Sequence, residues 1–281
     1  MVSIKLKYLL EGANMKTKIV ALLSGILSLG AAGAASAADM AVKALPPPAP
    51  IFTWTGFYIG GNAGYGWGNE DVGLRPTPNA ASLAFFAGTF PTFIPNSVSP
   101  RPSGAIAGGQ AGYNWQSGRF VLGVEGDIQW ADVKGTFNTS VPPFPIQTTT
   151  SQKLEWFGTG RGRLGFTAVD TLLLYVTAGV AFGSVNHFFT ATNNIGSVNT
   201  TNVTDTYAGW TAGVGFEWAF APQWSVKAEY LYIDLGRHTF STIGSGTTPV
   251  GASLDSSFGD KFQIARVGVN YRFGGPVVAK Y

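Results

Sequence analysis

The most constraining feature of this sequence is an alternation of apolar and polar side chains that recurs in eight segments. In the last segment, residues 260–273, apolar side chains occupy every second position from Ala265 to Phe273, and Arg266, Asn270 and Arg272 lie between them. Successive side chains of a β-strand point to opposite faces, so each segment predicts a strand with one apolar face and one polar face. Each segment also exceeds the roughly 9–11 residues that a tilted strand needs to cross a membrane.

The connections between these segments alternate strictly between short and long. The segments are 54–67, 103–115, 119–132, 152–167, 171–184, 205–219, 223–236 and 260–273. The short connections are 116–118, 168–170 and 220–222, and the long ones, predicted to be loops, are 68–102, 133–151, 185–204 and 237–259. This connectivity predicts an all-β fold, namely an eight-stranded antiparallel up-and-down transmembrane β-barrel. Its short turns are expected in the periplasm and its long loops outside the cell.

The composition fits a barrel whose apolar face meets lipid. Charged residues make up 12% of the 281 residues, about half the share of a typical soluble domain. No apolar run reaches the roughly 20 residues of a membrane-spanning helix. An even number of antiparallel strands can close without a free edge, and lipid does not tolerate a free edge.

The N-terminus is predicted to be a secretory signal peptide over residues 1–37. Lys16 and Lys18 precede an apolar stretch at 19–34, and the small residues 35–37 follow it. Cleavage is expected after Ala37, with Ala38 as the alternative, and a transmembrane anchor is the competing interpretation. Residues 1–14 precede a second start at Met15 and are either a start-site extension or a longer basic region.

Two further segments complete the predicted domain organisation. Residues 38–53 contain a proline run that favours an extended periplasmic lead-in to the barrel at 54–273. Residues 274–281 are interpreted as a C-terminal tail. Either Phe273 or Tyr281 then supplies the terminal aromatic residue for the barrel-assembly machinery, a partner expected during biogenesis.

Charge and cysteine content exclude other classes of protein. Removal of residues 1–37 takes away four lysines and one glutamate, and leaves acidic and basic side chains in equal number. The basic character of the full chain therefore belongs to the signal, and no nucleic-acid partner is expected. The chain has no cysteine, so no disulfide, thiol nucleophile or lipidated cysteine is available. No cofactor and no metal site is expected either.

Ten charged side chains lie on the polar faces of the predicted strands and are expected to meet in the lumen. They are Glu125, Asp127, Glu155, Arg161, Arg163, Glu217, Lys227, Glu229, Arg266 and Arg272, five acids and five bases. One interpretation is a charged pore lining. The interior of an eight-stranded barrel is only wide enough for side chains to fill it, so a structural ion-pair network is favoured.

Large aromatic side chains lie on the apolar faces, many of them near strand ends. An amphipathic ring suits the boundary between lipid and water, so these side chains are expected to form an aromatic girdle. They are Trp67, Trp115, Trp130, Trp156, Trp210, Trp218, Trp224, Tyr230, Tyr271 and Phe273.

Five stretches carry a resemblance to a known family: 37–39, 54–65, 161–165, 228–232 and 267–273. In these stretches the chain resembles the outer-membrane immunogenic proteins of alphaproteobacteria, within the broader opacity-type, eight-stranded porin family. The resemblance covers the strands of the mature chain and almost none of its loops. It implies a surface antigen or envelope protein of the cell outer membrane, and it implies no single reaction.

Catalytic chemistry has little support in the sequence. His187 and His238 fall in different predicted loops, and Ser184 and Asp205 lie near His187 in the chain. A lipid-modifying barrel enzyme would need a histidine with a serine and an acid at the outer rim. No motif places a base beside a nucleophile, so no catalytic residue is assigned.

The first long connection contains Phe85, Phe86, Phe90 and Phe93 among six prolines. These phenylalanines either form an exposed contact surface, or fold back over the barrel mouth or onto lipid.

Three functions are therefore considered. The first is a structural or surface-interaction barrel with an ion-paired, plugged lumen, surrounded by outer-membrane lipid and lipopolysaccharide, whose long loops face host or other surface ligands. The second is a small-solute channel, and the third is a lipid-modifying enzyme at the rim. Conductance across a planar bilayer separates the first two.

Overall fold

The chain forms an antiparallel β-barrel, of which the computed structural model describes residues 52–87, 94–141 and 146–273. The elements in these ranges are β1 (Gly56–Trp67), β2 (Val72–Pro76), α1 (Ala80–Phe85), β3 (Ser97–Val98), β4 (Ser103–Ser117), β5 (Phe120–Val141), β6 (Ile146–Val169), β7 (Leu172–Thr192), β8 (Ser197–Ala221), β9 (Trp224–Ser241), β10 (Ile243–Gly246) and β11 (Leu254–Phe273). The predicted signal peptide at 1–37, the tail at 274–281 and the lead-in at 38–53, except its last two residues, lie outside the described residues.

Eight long strands form the wall of the barrel. Their order around the wall is β1, β4, β5, β6, β7, β8, β9 and β11, and β1 pairs with both β4 and β11. Phe57 and Phe273 are Cα partners across this closing seam. Every wall strand therefore has two neighbours, as lipid requires. The predicted eight-stranded antiparallel barrel is confirmed.

Three two-residue turns join wall strands at the end where the chain enters and leaves the barrel. They span 118–119, 170–171 and 222–223. Gly118 has a φ of +58°, a left-handed conformation that glycine adopts without the steric cost of a side chain. The sequence predicted these turns at 116–118, 168–170 and 220–222, within two residues of their observed bounds.

Six of the eight wall strands, all except β1 and β4, extend farther from the short turns than the sequence predicted. β5 continues to Val141 and β6 begins at Ile146, so most of the predicted loop at 133–151 is strand. β7 and β8 likewise occupy the predicted loop at 185–204, apart from a turn at 193–196. The outward side chains here are mostly Thr, Ser, Asn and Gln, so the lipid-facing apolar pattern ends before the strands do. Threonine nevertheless favours strands because it is branched at Cβ.

Inward-facing side chains fill the barrel in layers. Nearest the short turns is an inner apolar layer of Trp54, Val121, Leu173, Tyr175 and Ala219. A polar layer follows it. Beyond the polar layer is an outer apolar layer, whose buried members are Ile106, Ala131, Val133, Leu154, Phe157, Ala181, Val185, Leu231, Ile233, Leu235, Phe262 and Ile264.

Part of the first long connection folds back over the barrel mouth. Phe86 is 6% exposed and packs with Val72, Phe189 and Phe258. β2 pairs with β11, and the Asn79 side chain caps α1 by accepting a hydrogen bond of 2.8 Å from the Ser82 backbone N–H. Phe90 and Phe93 lie outside the described residues. Within the described ranges, no helix has the length and apolarity needed to cross a membrane.

Glycine is required at position 60, where the side chains of two neighbouring strands meet. Gly60 on β1 pairs with Gln110 on one side and Asn270 on the other. The Gln110 amide donates a hydrogen bond of 2.8 Å to the Asn270 side chain, and a Cβ at Gly60 would lie 2.2 Å from the Asn270 oxygen. Any larger residue at position 60 would displace this amide bridge, which borders the charged groups described below.

The positions of the long hairpins and the short turns predict which parts of the chain are accessible to antibodies on intact cells. An epitope tag inserted between Asn194 and Ile195, both exposed in the β7–β8 turn, is expected to bind antibody on intact cells. A tag between Gly118 and Arg119 should bind only after the outer membrane is permeabilised, because short turns of such barrels face the periplasm. Surface labelling of the second tag on intact cells would show that the barrel is inserted the other way round.

Candidate functional site

Eight of the ten predicted lumen charges meet in the polar layer, and we refer to them as the lumen cluster. They are Glu125, Asp127, Arg161, Arg163, Glu217, Lys227, Glu229 and Arg266, and none is more than 9% exposed. They come from β5, β6, β8, β9 and β11, where strand alternation turns each of them inward. Four are acidic and four are basic, so the cluster is formally neutral.

Arg161 is the hub of the cluster. Its guanidinium contacts three carboxylates: it hydrogen-bonds Glu125, it lies 2.9 Å from an Asp127 oxygen and it lies 2.9 Å from a Glu229 oxygen. It also donates to the Thr177 hydroxyl at 3.1 Å. The planar guanidinium presents its N–H groups in fixed directions, which suits several acceptors at once. The hub joins β5, β6, β7 and β9 across the lumen.

Two further cations complete this part of the cluster. Arg266 donates to Glu229 through Nε at 2.8 Å and through Nη2 at 2.5 Å, and Nη2 also donates to Asp127 at 3.2 Å. The ammonium group of Lys227 lies 2.9 Å from both carboxylate oxygens of Glu125. Each of the three carboxylates therefore has at least two cationic partners. This sharing offsets the cost of removing the charges from water.

A second group surrounds Arg163, nearer the short turns. Arg163 Nη2 donates to Glu217 at 2.5 Å, and its guanidinium carbon lies 3.7 Å from the centre of the Tyr175 ring, a cation–π arrangement. The Tyr58 hydroxyl donates to Glu125 at 2.8 Å and accepts a long 3.5 Å contact from Arg163. Sequence reasoning missed both tyrosines. Each tyrosine has outward-facing apolar residues on both sides in the chain, and this alternation could have predicted that its side chain points into the lumen.

Two predicted members of the lumen set lie elsewhere. Glu155 faces outward, where its side chain is 42% exposed and pairs with Lys153, because an irregularity in the β5–β6 pairing falls between Leu154 and Trp156. That irregularity turns Leu154 into the lumen and Trp156 out of it, although simple alternation puts both on one face. Arg272 lies at the short-turn end, donates to the Pro222 carbonyl at 2.7 Å and covers the Trp54 ring.

The ten predicted girdle residues all lie on the outside of the wall. Eight of them are between 37% exposed, for Trp156, and 61% exposed, for Trp130; Trp67 and Tyr271 are half-buried. Five lie toward the short turns: Trp115, Trp218, Trp224, Tyr271 and Phe273. Four lie toward the long connections: Trp67, Trp130, Trp156 and Trp210. Tyr230, the Cα partner of Val214, lies between the two groups, and its hydroxyl donates to Gln263 at 2.8 Å. We interpret the two groups as the two lipid–water boundaries, so the wall between them is the membrane-spanning part.

The two histidines come together although they were predicted in separate loops. His187 Nε2 lies 2.8 Å from Asp260 Oδ1, and His238 Nε2 lies 3.7 Å from Asp260 Oδ2. His187 and Asp260 are fully buried. Gln152 also donates to Asp260, at 2.6 Å. The sequence had instead suggested Asp205 as the acid near His187, since Asp260 is distant in the chain.

A tyrosine packs against this histidine pair. Tyr207, three residues beyond Trp210 on the side away from the short turns, stacks on His238 at 3.7 Å. Burial raises the pKa of Tyr207 to about 12, so its hydroxyl keeps its proton at physiological pH. Across residues 52–87, 94–141 and 146–273, no group of three or more His, Asp or Glu side chains is arranged to hold a metal ion.

Comparison with known proteins places the chain among outer-membrane proteins. The family described as "Outer membrane protein beta-barrel domain" matches residues 24–273. The 31 kDa outer-membrane immunogenic protein of Brucella melitensis biotype 1 is 35% identical over 274 residues, which cover 92% of this chain and 100% of that protein. The 22 kDa outer membrane protein of Rhizobium leguminosarum bv. viciae is 30% identical over 189 residues, which cover 67% of each chain.

Among solved structures, the outer membrane protein OprG from Pseudomonas aeruginosa is similar over 80% of this chain and 100% of its own, with 9% identity and a TM-score of 0.42. The family match and the immunogenic relatives confirm the resemblance seen in the sequence. They also confirm the expected localisation. The chain therefore belongs to the outer membrane protein beta-barrel family, among the outer-membrane immunogenic proteins of alphaproteobacteria, and it resides in the cell outer membrane.

Proposed function

We propose that this protein is a sealed barrel that serves the cell envelope as a structural and surface-interaction protein. The observation that carries this proposal is the position of the lumen cluster, which lies between the inner and outer apolar layers. A path for water or solutes would have to cross both layers as well as the cluster.

The cluster itself supports a filled lumen. The side chains of Arg161, Lys227 and Arg266 are 0% exposed. A water-filled channel would leave such side chains hydrated, whereas here carboxylates replace water as their partners. An eight-stranded wall encloses only enough space for side chains, and water-filled porins use about 16–18 strands.

The inner apolar layer is held in place by specific contacts. Trp54 is 1% exposed, its indole N–H donates to the Asp170 carbonyl at 3.0 Å, and its backbone N–H donates to Gln116 at 2.7 Å. Phe52 packs edge-on against the same ring. The chain that enters the barrel thus closes its short-turn end.

The surface-interaction role rests on the strands that continue beyond the aromatic girdle. These extensions carry paired strands instead of open loops, and they give the outer side of the molecule a defined shape. The relatives are named immunogenic proteins, which supports exposure of the corresponding surface. Catalysis is not part of the proposal, because His187 and Asp260 are buried beneath the packed residues of the barrel mouth.

Single-channel recording tests the sealed lumen. The refolded protein in planar bilayers is expected to give no stable conductance steps, because both apolar layers exclude water. A 16-stranded general porin in the same bilayers is the positive control, and folded insertion is verified by protease protection of the wall strands. Stable, porin-sized steps from the inserted barrel would support the small-solute channel instead.

A further inference from the structure

The strands beyond the girdle form an outward surface whose composition the proposed function does not explain. We define the outer flank as the outward side of residues 134–140, 147–153, 186–192 and 198–204, on β5, β6, β7 and β8. Apart from two lysines nearest the membrane and the inward-facing His187, these residues include no charged or ionisable side chain. The outward positions are mostly Ser, Thr, Asn and Gln.

The pairing register arranges these side chains in rows across the four strands. One row contains Thr136, Ser151, Phe188 and Asn202 as successive Cα partners, and the next contains Asn138, Thr149, Thr190 and Thr200. Phe188 therefore has hydroxyl and amide neighbours on both sides. An aromatic ring among neutral hydrogen-bonding groups is suited to sugars, which present C–H faces to the ring and hydroxyls to its neighbours.

The membrane edge of the outer flank carries positive charge in an unusual position. Lys134 and Lys153 are direct Cα partners on β5 and β6, and like charges opposite each other destabilise a strand pair. Each has one acidic neighbour, Asp132 at 3.2 Å and Glu155 at 3.6 Å, and all four side chains are 37–65% exposed. Exposed ion pairs of this kind contribute little, so they would not prevent a multivalent anion from binding both lysines.

On the short-turn side of the lysine pair, the outward surface of the wall is apolar and can hold acyl chains. Trp130 and Trp156 are Cα partners; Trp130 comes four residues before Lys134 on β5, and Trp156 comes three residues after Lys153 on β6. Four residues farther down each strand, Gly126 and Gly160 are also partners and line a lipid-facing groove of about 560 Å³. Along β5 and β6, in the direction away from the short turns, the outward surface therefore consists of four successive parts. They are the apolar groove, the Trp130–Trp156 pair, the Lys134–Lys153 pair and the neutral polar sheet.

We propose that the outer flank binds lipopolysaccharide of the surrounding outer leaflet. Its acyl chains would lie in the groove, its phosphates on Lys134 and Lys153, and its inner sugars on the sheet around Phe188. The order of the surfaces favours this ligand. In lipopolysaccharide the phosphates lie between the acyl chains and the sugars, and on the protein the lysine pair lies between the apolar groove and the neutral sheet. A basic segment at a membrane surface gains about fivefold in binding per lysine.

The test measures binding of fluorescent rough lipopolysaccharide, which contains lipid A and core sugars, to the refolded barrel in detergent. The Lys134→Gln, Lys153→Gln double variant is expected to bind about 25-fold more weakly, from the loss of two lysine–phosphate contacts. Lys261→Gln is the matched control, since this lysine is also exposed and paired with an acid, Glu70, but lies on β11. It should bind within twofold of the unaltered protein. Far-UV circular dichroism verifies that all variants are folded.

Further probes separate the parts of the lipid. Dephosphorylated lipopolysaccharide should bind the unaltered protein as weakly as the intact lipid binds the double variant. Phe188→Ala should weaken binding of the rough lipid severalfold and leave binding of lipid A alone unchanged. Equal losses in the double variant and in Lys261→Gln would overturn the proposal. So would full competition by millimolar inorganic phosphate, which would indicate a free-phosphate site.

Discussion

Replacement of Glu229 with alanine is expected to destabilise the folded barrel by about 3–5 kcal/mol, the usual cost of removing one partner from a buried ion pair. Glu229 lies 2.9 Å from Arg161 and 2.5 Å from Arg266. Without Glu229, the guanidiniums of Arg161 and Arg266 would each lose one carboxylate partner, and the cluster would contain one more positive than negative charge. The excess positive charge would lie between two apolar layers, and in a sealed lumen water would not replace the missing partner.

Urea unfolding of the refolded protein in detergent measures this change. Glu155→Ala is the matched control, because Glu155 is also a glutamate paired with a cation on the same wall but its side chain is 42% exposed. An exposed pair contributes about 0–1 kcal/mol, so this variant should unfold nearly like the unaltered protein. Similar, small effects of the two substitutions would mean that water fills the lumen and screens its charges.

A charge on the lipid face should be the second most damaging change. Val176→Arg is expected to cost about 2–4 kcal/mol, the penalty for arginine near the midplane of an outer-membrane barrel. Val176 is 52% exposed, and its Cα partner Val214 lies midway between Trp210 and Trp218 on β8. An arginine at this depth is too far from either girdle for its guanidinium to reach water easily.

The same substitution at the membrane boundary provides the comparison for Val176→Arg. Val169 is 60% exposed and ends β6 at a short turn, where arginine should cost about 0–1 kcal/mol. Folding into lipid vesicles, followed by the mobility difference between folded and unfolded protein on gels, measures both variants. If both fold equally well, then residue 176 does not lie at the depth assigned to it.

The sequence was sufficient to predict the wall because each face of a strand repeats every second residue. That pattern identified the eight strands, the short turns and the inward direction of Arg161 and Glu229. It failed for Glu155 because an irregularity in the pairing shifts the faces by one residue, and no residue type marks that position. It also ended the strands too early, since it relied on lipid-facing apolar residues that the strands beyond the girdle do not have.

Contacts between distant parts of the chain were not predictable in the same way. Asp260 on β11 meets His187 on β7 and Gln152 on β6 only because β11 faces these two strands across the closed barrel. Trp54 lies at the start of the first strand segment, and alternation alone cannot show that its ring turns beneath the lumen and hydrogen-bonds to residue 170. These contacts depend on barrel closure and on the packing of side chains inside it, which no single segment encodes.

The continuous strands beyond the girdle also determine what kind of epitope the outward face of the barrel can present. Neighbouring side chains on the outer flank, such as Ser151, Phe188 and Asn202, come from three different strands. An antibody that binds this face therefore recognises a discontinuous epitope, which exists only in the folded barrel. A vaccine made of short linear peptides would present the β7–β8 turn at 193–196 but would lose the flank, whereas refolded barrel in a lipid carrier would retain both.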